Sequence, residues 1–181
     1  MVKILGIAGS LRRASFNAAL LRAAAELAPA GTSIEIASIR DIPLYDADVE
    51  AQGIPAAVAE LKDKVVAADA LLLVTPEYNN SIPGVFKNVI DWLSRPPADA
   101  PRVFANRPVT LIGASAGKFG TVQAQRAWLP VLRTLRMRPW FGAPLYVSAA
   151  ASVFDAQGRL IDADVRTHLE QLLRDFVQAI A

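Results

Sequence analysis

Short, wholly apolar runs alternate along the chain with longer segments whose apolar residues recur every three or four positions. VKILGIA (2–8), ALLLVT (70–75) and PVTLIGAS (108–115) read as strands buried on both faces of a parallel sheet. SIEIAS (33–38) alternates, as a strand with one wetter face does. Between these runs, FNAALLRAAAELA (16–28), a segment over about 56–68, VFKNVIDWLSR (85–95) and GTVQAQRAWLPVLRTLRM (120–137) have helical spacing and good helix formers. The first of them stops at Pro29 and Gly31, the third at Pro96-Pro97, and Pro130 predicts a kink in the fourth. A fifth strand falls within WFGAPLYVS (140–148), and VRTHLEQLLRDFVQAIA (165–181) is an amphipathic closing helix.

Five strands, each followed by a helix and with no internal repeat or linker, predict one α/β domain over residues 1–181. The expected architecture is a flavodoxin-like doubly wound sheet of five parallel strands, order 2-1-3-4-5, with helices on both faces. Such sheets bind ligands at the carboxyl ends of their strands, where the strand order reverses. That rule selects three loops: GSLRRASFN after the first strand, PEYNNSIPG after the third and SAGKFG after the fourth.

Composition narrows the possibilities. With 53% hydrophobic and 20% charged residues the sequence predicts a folded, water-soluble protein, and no apolar run approaches the roughly 20 residues that span a bilayer. No export signal is visible, so a cytoplasmic location is expected. The absence of cysteine removes disulfides, thiolate metal sites and a cysteine nucleophile. The net charge is only +2, but Arg102, Arg107, Lys118, Arg126, Arg133, Arg136 and Arg138 precede Phe154 with no acidic residue among them. That bias suits an anionic ligand. The basic residues lack interleaved aromatics, which argues against nucleic acid.

The first loop has neither the GK[ST] ending of a nucleotide-triphosphate loop nor the spacing of a dinucleotide fingerprint, and no acid ends SIEIAS to hold a ribose. Its chemistry fits a single phosphate: hydroxyls of Ser10 and Ser15, the amide of Asn17, the charge of Arg12 and free N–H groups at a helix start. Gly9 would let the backbone approach the anion. In the plainer alternative, Ser15 merely caps the helix and the arginines are solvated. PEYNNSIPG could wall a planar, heteroatom-edged ring through its main chain, with Tyr78 beside the ring and Pro76 and Pro83 stiffening the loop. Its plainer reading is a turn ending in a helix cap at Ser81. SAGKFG permits close approach to a flat ligand. Taken together, the loops match a ligand with a phosphate at one end and a flat ring at the other, which describes flavin mononucleotide.

GSLRRASFN, PEYNNSIPGVFKNVIDWLSRP and SAGKFGTVQAQ resemble the NADPH-dependent FMN reductase family, which includes bacterial quinone, azo-dye and chromate reductases. The likeness covers about residues 2–150, with Ala116 standing where relatives often have proline. It implies that Ser10, Arg12, Ser15 and Asn17 hold the FMN phosphate, helped by the backbone of Leu11 and Phe16. Pro76, Glu77, Tyr78 and Asn79 would line the isoalloxazine, and Ser115 and Gly117 would border its other side. It further implies NADPH as hydride donor (NADH being possible), a small oxidised acceptor, and a homodimer or homotetramer. Val85, Val89 and Trp92 could then lie at a subunit contact, although their spacing alone would place them in the core.

The resemblance asks no catalytic side chain for the chemistry, which runs at the flavin N5. His168, the single histidine, is expected at the surface of the last helix, and Glu77 is expected to bind through its main chain with an outward carboxylate. Asp46, Asp48 and Glu50 read as a solvated loop in preference to a metal site. The competing function is a flavodoxin-type electron carrier that binds FMN without turning over a small substrate. The basic stretch weighs against it, because such carriers are typically acidic.

Overall fold

The computed structural model describes residues 1–180. Strand β1 (Val2–Ala8) leads into helix α1 (Phe16–Glu26), and β2 (Thr32–Ala37) follows. The loop after it carries a short helix, α2 (Ala47–Gln52), before α3 (Ala56–Ala67). Next come β3 (Ala70–Val74), α4 (Gly84–Leu93), the single turn α5 (Ala100–Phe104), β4 (Pro108–Ala114) and α6 (Val122–Thr134). The chain finishes with β5 (Arg138–Pro139), β6 (Leu145–Val147), α7 (Ala150–Val153) and α8 (Ala163–Ile180).

The strands run in the order β2-β1-β3-β4-β5, all parallel, with β6 also paired to β4. The expected order is therefore met, but the fifth strand is split. Pro108 and Val109 pair with Arg138 and Pro139, whereas Ile112 to Ala114 pair with Leu145 to Val147. The interval between them contains Gly142 and Pro144, and Pro139 can donate nothing to a ladder. The predicted window thus joins an irregular segment to the second of two short strands.

Burial follows the pleat. Leu71 and Leu73 of β3 face one layer with Leu5, Ile7, Val109 and Leu111, against α3, α4 and α6. Leu72 and Val74 face the other with Ile4 and Ile112, against α1 and α8. Each leucine of β3 is wholly buried, which contributes roughly 2 kcal/mol per side chain. On α8, Leu169, Leu172, Leu173 and Phe176 form the inward stripe, and His168 is exposed as expected.

Helix α6 continues through Pro130 to Thr134. Pro130 lies on its exposed side, where the carbonyl four residues back is open to hydration. Trp92 and Val89 are core residues. The Trp92 indole N–H donates to Pro43 O (2.9 Å), and its ring meets Tyr45 edge-on at 5.0 Å. Neither Trp92 nor Val89 is therefore open to a subunit contact, and of the three positions only Val85 keeps partial exposure. The acidic segment that includes Asp46, Asp48 and Glu50 also has structural work. Asp46 Oδ1 caps α2 by accepting from Asp48 N (2.8 Å), and Glu50 accepts from the Tyr45 hydroxyl (2.7 Å).

Candidate functional site

The carboxyl ends of β1, β3 and β4 bring the three loops to one open cleft of about 240 Å³. Ser10, Arg12, Ser15, Phe16 and Asn17 line it from the first loop, Pro76, Glu77 and Tyr78 from the second, and Ser115 from the third. Leu11, Asn79 and Gly117 do not line it. Ala114 and Ala116 do; the sequence marks Ala116 only as a departure from the proline of relatives, and Ala114 offers no chemical signal because its side chain is a methyl group.

In the first loop most polar groups remain unspent. Ser15 caps α1, its Oγ accepting from Ala18 N (3.2 Å), yet the hydroxyl proton is still available to a ligand. The N–H groups of Phe16 and Asn17 lie in the first turn, where no helical carbonyl reaches them. Ser10 Oγ accepts from Arg12 N (3.3 Å) and lies 3.5 Å from the Tyr78 hydroxyl. Arg12 is exposed and folds back on its own loop: Nε and Nη2 both donate to Ala14 O, and the guanidinium lies 5.2 Å from the Phe16 ring centre. An anion would find here several donors, two serine hydroxyls and an exposed positive charge.

Asn17 departs from its expected place in that set. Its Nδ2 donates to Ala114 O (2.8 Å) and its Oδ1 accepts from Ala114 N (2.9 Å), so the amide clasps α1 to the end of β4. One amide proton is left over. Gly9 also has a different reason from the one its position suggested. A Cβ there would fall inside the Phe86 ring, so the glycine serves packing between β1 and α4.

The second loop is closed on itself. Tyr78 N donates to Ser81 O (3.2 Å) and Ser81 N returns to Tyr78 O (3.0 Å). Asn79 and Asn80 between them both take positive φ, 49° and 59°, as the central pair of a type I′ turn does. Ser81 accordingly belongs to the turn and does not cap α4, whose first residue follows Pro83. The Glu77 carboxylate, expected to face outward, turns inward. Its Oε2 accepts from Gln123 N (2.8 Å) and Ala124 N (2.9 Å), capping α6 in place of Thr121, whose side chain makes no cap. A carboxylate at a helix amino terminus is doubly favoured, by two charge-assisted bonds and by the helix dipole.

Behind this wall, Thr75 N donates to Ile112 O (2.8 Å), and Thr75 Oγ1 accepts from the Trp128 indole (3.2 Å). At Gly113 a Cβ would collide with Thr75 O, so β3 and β4 approach this closely only because that position lacks a side chain. The third loop is pinned by Ser115 N to Val147 O (2.9 Å), Gly117 N to Ser115 Oγ (3.1 Å) and Ala149 N to Gly117 O (3.1 Å). The main-chain N–H groups of Glu77 and Ala116, one on each side of the cleft, make no hydrogen bond among the described residues. Tyr78, 49% exposed, stands at the mouth, and Phe119 (82%) lies in the third loop. The donor set fits a phosphate at one end and the polar edge of a ring at the other.

An open parallel α/β sheet with a donor-rich loop at its switch point is an architecture shared by nucleotide-binding proteins. The sequence matches the family model "NADPH-dependent FMN reductase" over residues 2–152. It is 48% identical over 173 residues to an NAD(P)H-dependent FMN reductase of Pseudomonas aeruginosa, covering 96% of this chain and 92% of that protein. It is 38% identical to a 2-hydroxy-1,4-benzoquinone reductase of a Burkholderia species, over 95% of this chain and 92% of that one. Among solved structures, the flavoenzyme NAD(P)H:(acceptor) oxidoreductase of Paracoccus denitrificans superposes with a TM-score of 0.89 at 31% identity, covering 99% of this chain and 97% of that chain. The chain belongs to the NADPH-dependent FMN reductase family. Among the described residues, no helix is long and apolar enough to cross a membrane.

Proposed function

We propose that the protein, acting as one domain over residues 1–181, binds FMN in the cleft and passes two electrons from NADPH to a small acceptor such as a quinone, azo compound, chromate or free flavin. The observation that carries this reading is the pairing of an unspent anion loop with a rigid, donor-edged wall in one cleft. The two quinone- and flavin-reducing relatives support it.

Ser10, Ser15 and Arg12 would hold the phosphate, with the N–H groups of Phe16 and Asn17. Arg12 would leave Ala14 O to do so, exchanging a neutral acceptor for a charged one. Pro76, Glu77 and Tyr78 would line the ring, with Ser115 and Ala116 opposite. The unspent N–H groups of Glu77 and Ala116 would meet its polar edge. When bound, FMN supplies the hydride-accepting and hydride-donating chemistry. The side chains supply binding, orientation and exclusion of water from one ring face, while the open side admits NADPH and acceptor in turn. Tyr78, exposed at the mouth, and Phe119, exposed in the third loop, suit a site completed by a second subunit, so the working form would be a homodimer or homotetramer in the cytoplasm.

The test is the visible spectrum of the purified protein, before and after NADPH is added without oxygen. Flavin absorbance that NADPH bleaches and a quinone restores is the expected result. Bound flavin left oxidised by NADPH would favour an electron carrier. Failure to take up FMN at all would overturn the reading.

A further inference from the structure

Behind the first loop lies a second cleft, about 420 Å³, between α1 and the end of β2. Arg12 and Arg13 of the loop, Arg22 of α1 and Arg40 beyond β2 all line it, and no acidic residue does. None of the four forms an ion pair among the described residues. Arg40 donates to Leu11 O (2.8 Å), which ties it to the loop, and Arg12 is held by Ala14 O and the face of Phe16. Glu26, one turn beyond Arg22 on α1, makes no ion pair with it among the described residues, and two further acids are engaged elsewhere. Asp155 is taken by Arg159 (2.6 Å), and Asp41 lines a separate hollow with Lys64. On the floor, Ile36 is 45% exposed.

Gathering four guanidinium groups from three elements makes a positive surface that favours an anion. In the reading above the single FMN phosphate takes Arg12 at the front, which leaves Arg13, Arg22 and Arg40 for a second anion. We propose that this rear cleft receives the phosphorylated adenosine half of NADPH, with Arg40 and Arg22 gripping the 2′-phosphate and Ile36 underlying the base; the Arg22 guanidinium, which rests beside Gly158, would swing across α1 to do so. Guanidinium forks match the oxygens of a phosphate monoester, and an apolar side chain suits a flat ring. The two clefts share Ser10 and Arg12, so the loop is a ridge over which one extended dinucleotide passes from front to rear. No carboxylate lines the cleft to hydrogen-bond a free ribose 2′-hydroxyl, the group that distinguishes NADH from NADPH. The assignment rests on the functional reading above and supplies its nucleotide preference.

The test uses the FMN-loaded protein and the variant R22Q/R40Q, neither position of which lines the flavin cleft. Calorimetric titration with adenosine 2′,5′-bisphosphate reads the site without turnover. We expect binding in the parent protein, weakened about tenfold or more in the variant, with adenosine 5′-monophosphate bound poorly by both. The KM for NADPH should rise by a similar factor while that for NADH stays unchanged; FMN affinity is expected unchanged in Arg22→Gln alone, which leaves the Arg40–Leu11 tie in place. Equal bisphosphate binding and equal NADPH KM in parent and variant would overturn the proposal. So would a loss of FAD affinity with NADPH unaffected, which would assign the cleft to a flavin dinucleotide. Arg22→Gln alone, on the exposed side of α1 and away from Leu11, repeats the test if the double variant fails to fold. A parent protein that binds the bisphosphate but is not reduced by NADPH would sink the functional reading and leave the anion site standing.

Discussion

The first and second loops border the same cleft and are built on opposite principles. Residues 10–17 keep hydrogen-bonding groups in reserve: Arg12 rests on its own loop, and Ser15 caps a helix with only one of its valences. Residues 76–81 keep few, because Glu77 is spent on α6 and Tyr78 and Ser81 on each other. A socket for an anion has to hold donors free, whereas a wall against a flat ring has to be stiff before the ring arrives. The difference predicts that damage to the wall shows first in stability and damage to the socket shows first in affinity.

The sharpest test is Arg12→Ala. Removing an exposed side chain should leave the melting temperature almost unchanged while weakening FMN binding about tenfold to a hundredfold, since hydrogen bonds to charged groups are worth roughly 1.5–3 kcal/mol. Fluorescence titration with FMN measures it, and equal affinity would break the contrast. Glu77→Ala should do the reverse. Losing the α6 cap should cost about 1–2 kcal/mol in urea denaturation, with Glu77→Gln recovering part because its amide oxygen can still accept. Gly9→Ala probes the joint between the two regions. The added methyl has to displace Phe86 at a cost of about 1–3 kcal/mol, and Phe86→Leu should offset some of it.

A smaller effect is expected at the turn. Asn80→Val places a β-branched residue at φ 59° and should lose roughly 1–2 kcal/mol, while Asn80→Gly should be close to neutral. The last expectation separates both loops from the general acid response. The hydrogen bond from Lys62 (2.9 Å), more than any other influence, holds the Asp99 carboxyl below its ordinary range. A depressed folded-state value means stability that is present at neutral pH and is lost as the pH falls below the usual carboxylate range through the lowered value. Asp99→Asn should flatten that acid limb in thermal melts and leave FMN affinity alone.

Much of this was legible in the sequence because its signals are local. Three apolar runs and one alternating run marked the first four strands to within a residue or two, and Pro96 marked the end of α4. The cleft was legible through a topological rule applied to three polar loops. What escaped depends on partners distant along the chain. Nothing in PEYNNSIPG says that Glu77 will cap a helix that begins at Val122, and nothing near Gly9 points to the Phe86 ring. The Asn79-Asn80 turn carried a usable signal, since asparagine tolerates the left-handed region, but a functional meaning was given to it first. Val89 and Trp92 had the spacing of core residues all along.

The split of the fifth strand has a consequence for the protein in crowded solution. An outermost strand ordinarily presents a row of unpaired amides on which another molecule can crystallise its own backbone. Here that side of the sheet offers a two-residue piece ending in Pro139 and a three-residue piece, separated by an irregular segment with Gly142 and Pro144. Neither piece is long enough to template a foreign strand, so the break acts as a guard against runaway fibre growth along that border.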